Sequence, residues 1–119
     1  MEALAAQSPD IRRLLNEHLQ DYDELLPHVF FGELTAWFEE RWPKRHEQST
    51  STEIQRVLGQ LELGLADGDD AVQNVIAVSF IENLWELWTD AEFLALLGPK
   101  MKHELITMRD WYDTHGRSS

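Results

Sequence analysis

Glu82 and Glu86 stand four residues apart in a stretch with helical spacing, so both carboxylates can face one partner atom or ion. Asn83 places an amide beside them. Paired carboxylates serve general acid and base catalysis when a cleft drives their pKa values apart, and they serve as a recognition stripe when they stay on the surface. Asp67, Asp69 and Asp70 gather around Gly68 and resemble a metal loop at first sight. An EF-hand needs glycine at its sixth position and an acid at its twelfth, where this chain has Val72 and Val78, so the calcium reading fails. A turn followed by a helix cap at Asp69 is expected instead, with Gly68 able to take positive φ. The five histidines, at positions 18, 28, 46, 103 and 115, form no pair at ligand spacing. His18 lies on the apolar side of a helix and is expected to be packed and hydrogen-bonded, while Glu24 and His28 straddle Pro27 and are expected to share a local hydrogen bond. There is no HExxH, GxGxxG, P-loop or GxSxG pattern, and no cysteine to supply a thiolate. The expectation is a protein without catalysis, metal or cofactor.

The element that must carry the carboxylate pair is residues 69–88, DDAVQNVIAVSFIENLWELW. Turning 100° per residue, its apolar side chains from Val72 through Ile76, Ala77, Val78, Phe80, Ile81, Leu84, Trp85, Leu87 and Trp88 fill an arc of roughly 200°, which predicts one long, largely buried helix. The strip left over is Val75, Ser79, Glu82, Asn83 and Glu86, either a solvated edge or a recognition stripe. Other helices surround it. Ser8-Pro9-Asp10 starts one that runs through Ile11, Leu14, Leu15, His18, Leu19 and Tyr22. Leu25-Leu26-Pro27 opens a second, whose aromatic face of Val29, Phe30, Leu34, Trp37, Phe38 and Trp42 reads as core and which ends at Pro43. Residues 44–51 read as a loop, and Thr50-Ser51-Thr52-Glu53 as a capping box for a third helix. Gly59 and Gly64 within it suggest close contact with a neighbouring helix, and the short link after Leu65 makes the third and fourth helices an antiparallel hairpin. Thr89-Asp90-Ala91-Glu92 fits a second capping box, and a last helix spans residues 99–112. The predicted fold is all-α: a single compact bundle of about six helices over residues 1–119, with a HEAT-like antiparallel hairpin at its centre and loose ends at about 1–7 and 116–119.

Composition limits the partners. Among 119 residues, 43% hydrophobic, 22 acids outnumber ten Lys and Arg to give a net charge of −12. Binding to nucleic acid phosphates is disfavoured and attraction to a basic partner favoured. Between residues 57 and 99 there is no Lys, Arg or His, whereas Glu62, Asp67, Asp69, Asp70, Glu82, Glu86, Asp90 and Glu92 all fall there. No apolar run approaches the roughly 18 residues of a membrane span, and the lack of cysteine suits a reducing cytoplasm.

Three phrases together carry a family resemblance: LLPHVFFGEL at 25–34, GDDAVQNVIAVSFIENL at 68–84 and LLGPKMKHEL at 96–105. The chain resembles small acidic helical immunity proteins of bacterial polymorphic toxin and contact-dependent growth inhibition systems. That resemblance implies a monomer or weak dimer in the cytoplasm that neutralises a cognate protein toxin. A nuclease toxin holds phosphates on a basic surface, and an acidic protein can occupy that surface by mimicking the substrate's charge. From charge and periodicity, the contacts are expected at Glu82, Glu86 and Asn83, with Glu62, Asp67, Asp69 and Asp70 extending the footprint. The competing expectation is a helical adaptor that binds a peptide or partner helix in an aromatic groove.

Overall fold

Ser8 has the extended backbone of an N-cap, and its Oγ accepts from the Asp10 amide at 3.2 Å, so the helix begins where the Ser-Pro-Asp signature places it. The computed structural model describes residues 2–115, those at 2 and 115 by backbone alone. Among them are seven α-helices and no strand: α1 (Glu2–Ala5), α2 (Pro9–Tyr22), α3 (Pro27–Arg41), α4 (Gln48–Asp67), α5 (Asp70–Ile76), α6 (Ala91–Leu96) and α7 (Pro99–His115). The all-α expectation holds. One contiguous core joins them, drawn from every helix.

Part of the predicted loose N-terminal end is packed. Leu4 and Ala5 are buried in the core, because α1 packs on α2 and α4. The other predicted loose end, 116–119, lies outside the described residues.

The aromatic face of α3 is core from Phe30 onward, while Val29 at its start is exposed. Phe30, Leu34 and Phe38 are fully buried, and Phe38 meets Trp42, Phe80 and Phe93 at centroid separations of 5.7, 5.6 and 5.8 Å. Such aromatic contacts add about 0.5–1.5 kcal/mol each beyond the area they bury. After Arg41 the chain tightens into a 3-10 turn, Trp42–Lys44, and α4 starts at Gln48 rather than after a loop reaching 51. The predicted capping box there does not form. Thr52 donates to the Gln48 carbonyl inside the helix, while Glu53 accepts from the Ser8 hydroxyl and from Arg41 Nε, tying α4 to α2 and α3.

Gly64 earns its place by contact: a Cβ there would lie 2.8 Å from Ile76 Cδ1, so α5 folds back closely on α4. Gly59 has open space around it, and nothing in the structure explains it. Gly68 does not use its freedom, since its φ is −75°. Asp69 caps α5 by accepting from Val72 N at 2.9 Å. The later cap is Asp90, one residue beyond the predicted Thr89, accepting from Phe93 N at 2.9 Å.

The largest departure is within residues 69–88. The α-helix ends at Ile76, a π turn occupies Ala77–Ile81, and a 3-10 segment occupies Glu82–Leu87, in which Leu84 leaves helical geometry at φ −99°, ψ 31°. A π turn inserts an extra residue and resets the phase of everything after it. Val75 and Ser79, expected on the polar strip, are buried at 4% and 6% exposure. Val78 and Trp85, expected in the apolar arc, are 42% and 52% exposed. Side chains replace the backbone donors that such winding removes. The Ser79 carbonyl accepts from Thr35 Oγ1 at 2.9 Å and Asn83 Nδ2 at 3.0 Å, and the Ile81 carbonyl accepts from Trp88 Nε1 at 2.9 Å.

Candidate functional site

The changed winding separates the two carboxylates that the sequence places together. At three residues per turn, four residues overshoot alignment by about a third of a turn, and the kink at Leu84 adds to the difference. Glu82 is half-buried and accepts from the Tyr112 hydroxyl on α7 at 3.0 Å. Glu86 is exposed and stands apart from the groove that Glu82 lines. The pair is therefore not a carboxylate dyad sharing one cleft.

What the winding builds instead is an open groove of about 420 Å³ lined by Glu82, Asn83, Trp85, Trp88 and Tyr112. Trp88 is buried and forms its inner wall, 5.6 Å from the Tyr112 ring. Trp85 stands half out of the surface. Across Glu82 and Tyr112 a second depression of about 330 Å³ is lined by Thr107, Met108 and the 53% exposed Trp111, so Glu82 sits between two adjoining hollows. Periodicity had assigned Trp85 to the apolar arc and proposed no residue of α7 for the site. The available signal was an excess of aromatic residues beyond what one core face needs: Trp85, Trp111 and Tyr112 cluster near the acid.

The other acids have separate positions. Asp67, Asp69 and Asp70 are exposed at the corner between α4 and α5, with Asp69 also serving as the cap. Glu62 has a structural task that the sequence reading did not foresee. Its two carboxylate oxygens accept from Lys100 N at 2.7 Å and Met101 N at 2.9 Å, capping α7 from another helix, and a Cβ on Gly98 would strike the Glu62 side chain. Glu92 is gripped by Arg45 Nε at 2.8 Å and His46 Nε2 at 2.6 Å. The Arg45 guanidinium first, and His46 second, hold its carboxyl below the usual glutamate range. The anionic stretch is thus divided between acids that hold the fold and acids left to the surface, chiefly Asp67, Asp70, Glu82 and Glu86.

His18 is buried, as expected, and its Nε2 accepts from Leu26 N at 2.9 Å, which leaves the proton on Nδ1 facing Glu33 at 3.4 Å. His28 does not pair with Glu24. It shares a 2.5 Å hydrogen bond with Ser79 Oγ across the α3–π-turn contact. Among the described residues no group of three or more His, Cys, Asp or Glu is placed to hold a metal ion, and no helix is long and apolar enough to cross a membrane. The arrangement of acceptors, aromatic walls and exposed acids suits binding of a polar or cationic group.

Neither the curated proteins nor the solved structures contain a match to this chain. Among protein families, the model of the domain of unknown function DUF7674 matches residues 1–113, from α1 almost to the end of α7 and including the groove. The chain therefore belongs to the DUF7674 family, whose model spans all but the last two described residues of this all-helical fold.

Proposed function

We propose that this chain is an immunity protein that binds a cognate toxin stoichiometrically in the cytoplasm and blocks it through an acidic surface, the toxin being a nuclease with a basic phosphate-binding face. The observation that carries the reading is the run from 57 to 99 without a single Lys, Arg or His, in which Asp67, Asp70 and Glu86 are exposed and Glu82 lines an open groove. A field of one sign steers an oppositely charged partner and raises its association rate. The resemblance of the segments 25–34, 68–84 and 96–105 to polymorphic-toxin immunity proteins supports the same reading. Occlusion of this kind asks no catalysis of the inhibitor.

A second reading, an adaptor that seats a peptide or helix in an aromatic groove, is favoured by the half-exposed Trp85 beside Glu82 and Tyr112. The two differ in kinetics. Stopped-flow binding to a candidate toxic domain should show association falling by about tenfold in the Glu82→Lys, Glu86→Lys double variant, and added salt should slow the wild type toward it. Circular dichroism first confirms that the variant folds. Unchanged association, with undiminished protection of cells expressing the toxin, would sink the acidic-surface mechanism; a change confined to dissociation in Trp85→Ala would favour the adaptor.

A further inference from the structure

The corner between α2 and α3 buries less than its sequence pattern asks. Leu19 and Tyr22 follow Ile11, Leu15 and His18 on the apolar side of α2, and Leu25 and Val29 flank the start of α3, yet all four are between 36% and 45% exposed. His18 gathers them. Its ring lies 4.9 Å from that of Tyr22, and its Nε2 accepts from Leu26 N at 2.9 Å, which draws the end of α2 and the entry to α3 together. Apolar side chains exposed together and rimmed by polar ones mark a surface for a partner. The charge of the corner is equally one-sided. No Lys or Arg occurs between residues 14 and 40, while Glu17, Asp21, Asp23 and Glu24 are exposed and form no ion pair among the described residues. The two histidines of the stretch are engaged, His18 with Leu26 and Glu33 and His28 with Ser79. The last turn of α2 contains no base, so Asp21 and the capping Asp23 stand at the negative end of its dipole. A cation supplied from outside would relieve that conflict.

We infer that this corner is a docking site for a basic amphipathic helix of a partner protein. The apolar stripe of that helix covers Leu19, Tyr22, Leu25 and Val29, and the Lys or Arg beside the stripe meet Asp21, Asp23 and Glu24. Charge decides against the other occupants. Nucleic acid and an anionic bilayer are repelled by the acids, and a second copy of this chain related by a two-fold axis would set the same acids against one another. Secondary structure decides the form of the partner. No strand is present among the described residues, so an added β-strand has no edge to extend, whereas a helix can lay its stripe on a surface made of helices. The corner uses no residue of the anionic run from 57 to 99, so the inference stands apart from the toxin reading.

The probe is a capped peptide of leucine and lysine, about 18 residues long so that it holds a helix, with leucine at helical spacing. It is titrated into the 15N-labelled full chain while the backbone amides are followed. Saturable shifts centred on residues 19–29 are expected. The same peptide with glutamate in place of lysine should not bind, and a leucine–lysine peptide of scrambled order should bind about tenfold more weakly. Asp21→Lys with Glu24→Lys should weaken the lysine peptide by about five- to tenfold, yet raise the melting temperature of the free protein by about 2–5 °C by relieving the end of α2. Opposite signs for binding and stability separate a docking surface from a structural role. Leu19→Ser with Val29→Ser, folded by circular dichroism, should weaken the peptide by about tenfold. Shifts centred on residues 67–70 or 82–88, equal binding of the glutamate peptide, or binding indifferent to both double variants would overturn the proposal. So would a dimer of the free chain in sedimentation equilibrium that Leu19→Ser with Val29→Ser abolishes, because a second copy would then cover the corner.

Discussion

Helix α3 and the segment from Asp70 to Trp88 both carry aromatic and aliphatic side chains at helical spacing, yet they treat them in opposite ways. Along α3 the winding is regular for 15 residues, and the aromatic stripe from Phe30 onward closes against the π turn, α6 and the turn at Trp42. In the second segment the winding changes at Ala77 and again at Glu82, Phe80 and Leu84 go into the core, and Trp85 comes out. The difference lies in who satisfies the backbone. In α3 the helix supplies its own donors; beyond Ile76 the side chains of Thr35, Asn83, Trp88 and Arg109 add to the backbone donors. A ladder held by side chains need not keep the α period, and the residues it turns outward form the groove.

The comparison can be broken most forcefully at its aromatic residues. Phe80→Ala should cost about 3–5 kcal/mol in urea denaturation, because its ring is fully buried against Phe38. Trp85→Ala, a larger deletion from the same segment, should cost about 1 kcal/mol or less. Equal losses would mean that Trp85 is core and that the groove is closed.

A smaller effect tests the hydrogen bonds that hold the altered winding. Thr35→Val keeps the shape but removes the hydroxyl that reaches the Ser79 carbonyl, and a loss of about 1–3 kcal/mol is expected. Thr52→Val makes the same change in an exposed position of the regular α4, where Thr52 bonds only its own helix, and should stay within about 0.5 kcal/mol. Similar values for the two would remove the distinction between a self-satisfied helix and one held from outside.

The smallest effect concerns a tie between the chain that follows each region, where Arg45 and His46 after α3 hold Glu92 on α6. Since the folded carboxyl titrates below its unfolded value, this tie stabilises the protein above the unfolded value and is lost as the pH falls through the folded one. Arg45→Gln should move the Glu92 midpoint upward in a carbon-detected NMR titration, and the stability gap between wild type and variant should shrink on acidification. A midpoint unmoved by the substitution would mean that Arg45 does not hold the carboxylate.

The immediate sequence was enough for features made by neighbours in the chain. The caps at Ser8 and Asp69, Pro27 at the start of α3, the burial of Phe30, Leu34 and Phe38, and the packing of His18 all depend on partners a few residues away or on a sustained period. Glu82 and Asn83 were legible as site candidates on the same basis. Their surroundings were not. Thr35 and Ser79 are 44 positions apart, Glu62 and Lys100 are 38, and Glu82 and Tyr112 are 30. No local rule joins such pairs, so only the tertiary structure could turn Ser79 inward and Trp85 outward, commit Glu62 to the start of α7 and bring Tyr112 to Glu82. The sequence by itself determined an acidic, all-helical chain and where most helices begin. Packing decided which acids remain for a partner, because a carboxylate that caps a distant helix and one that faces solvent look alike until the chain has folded.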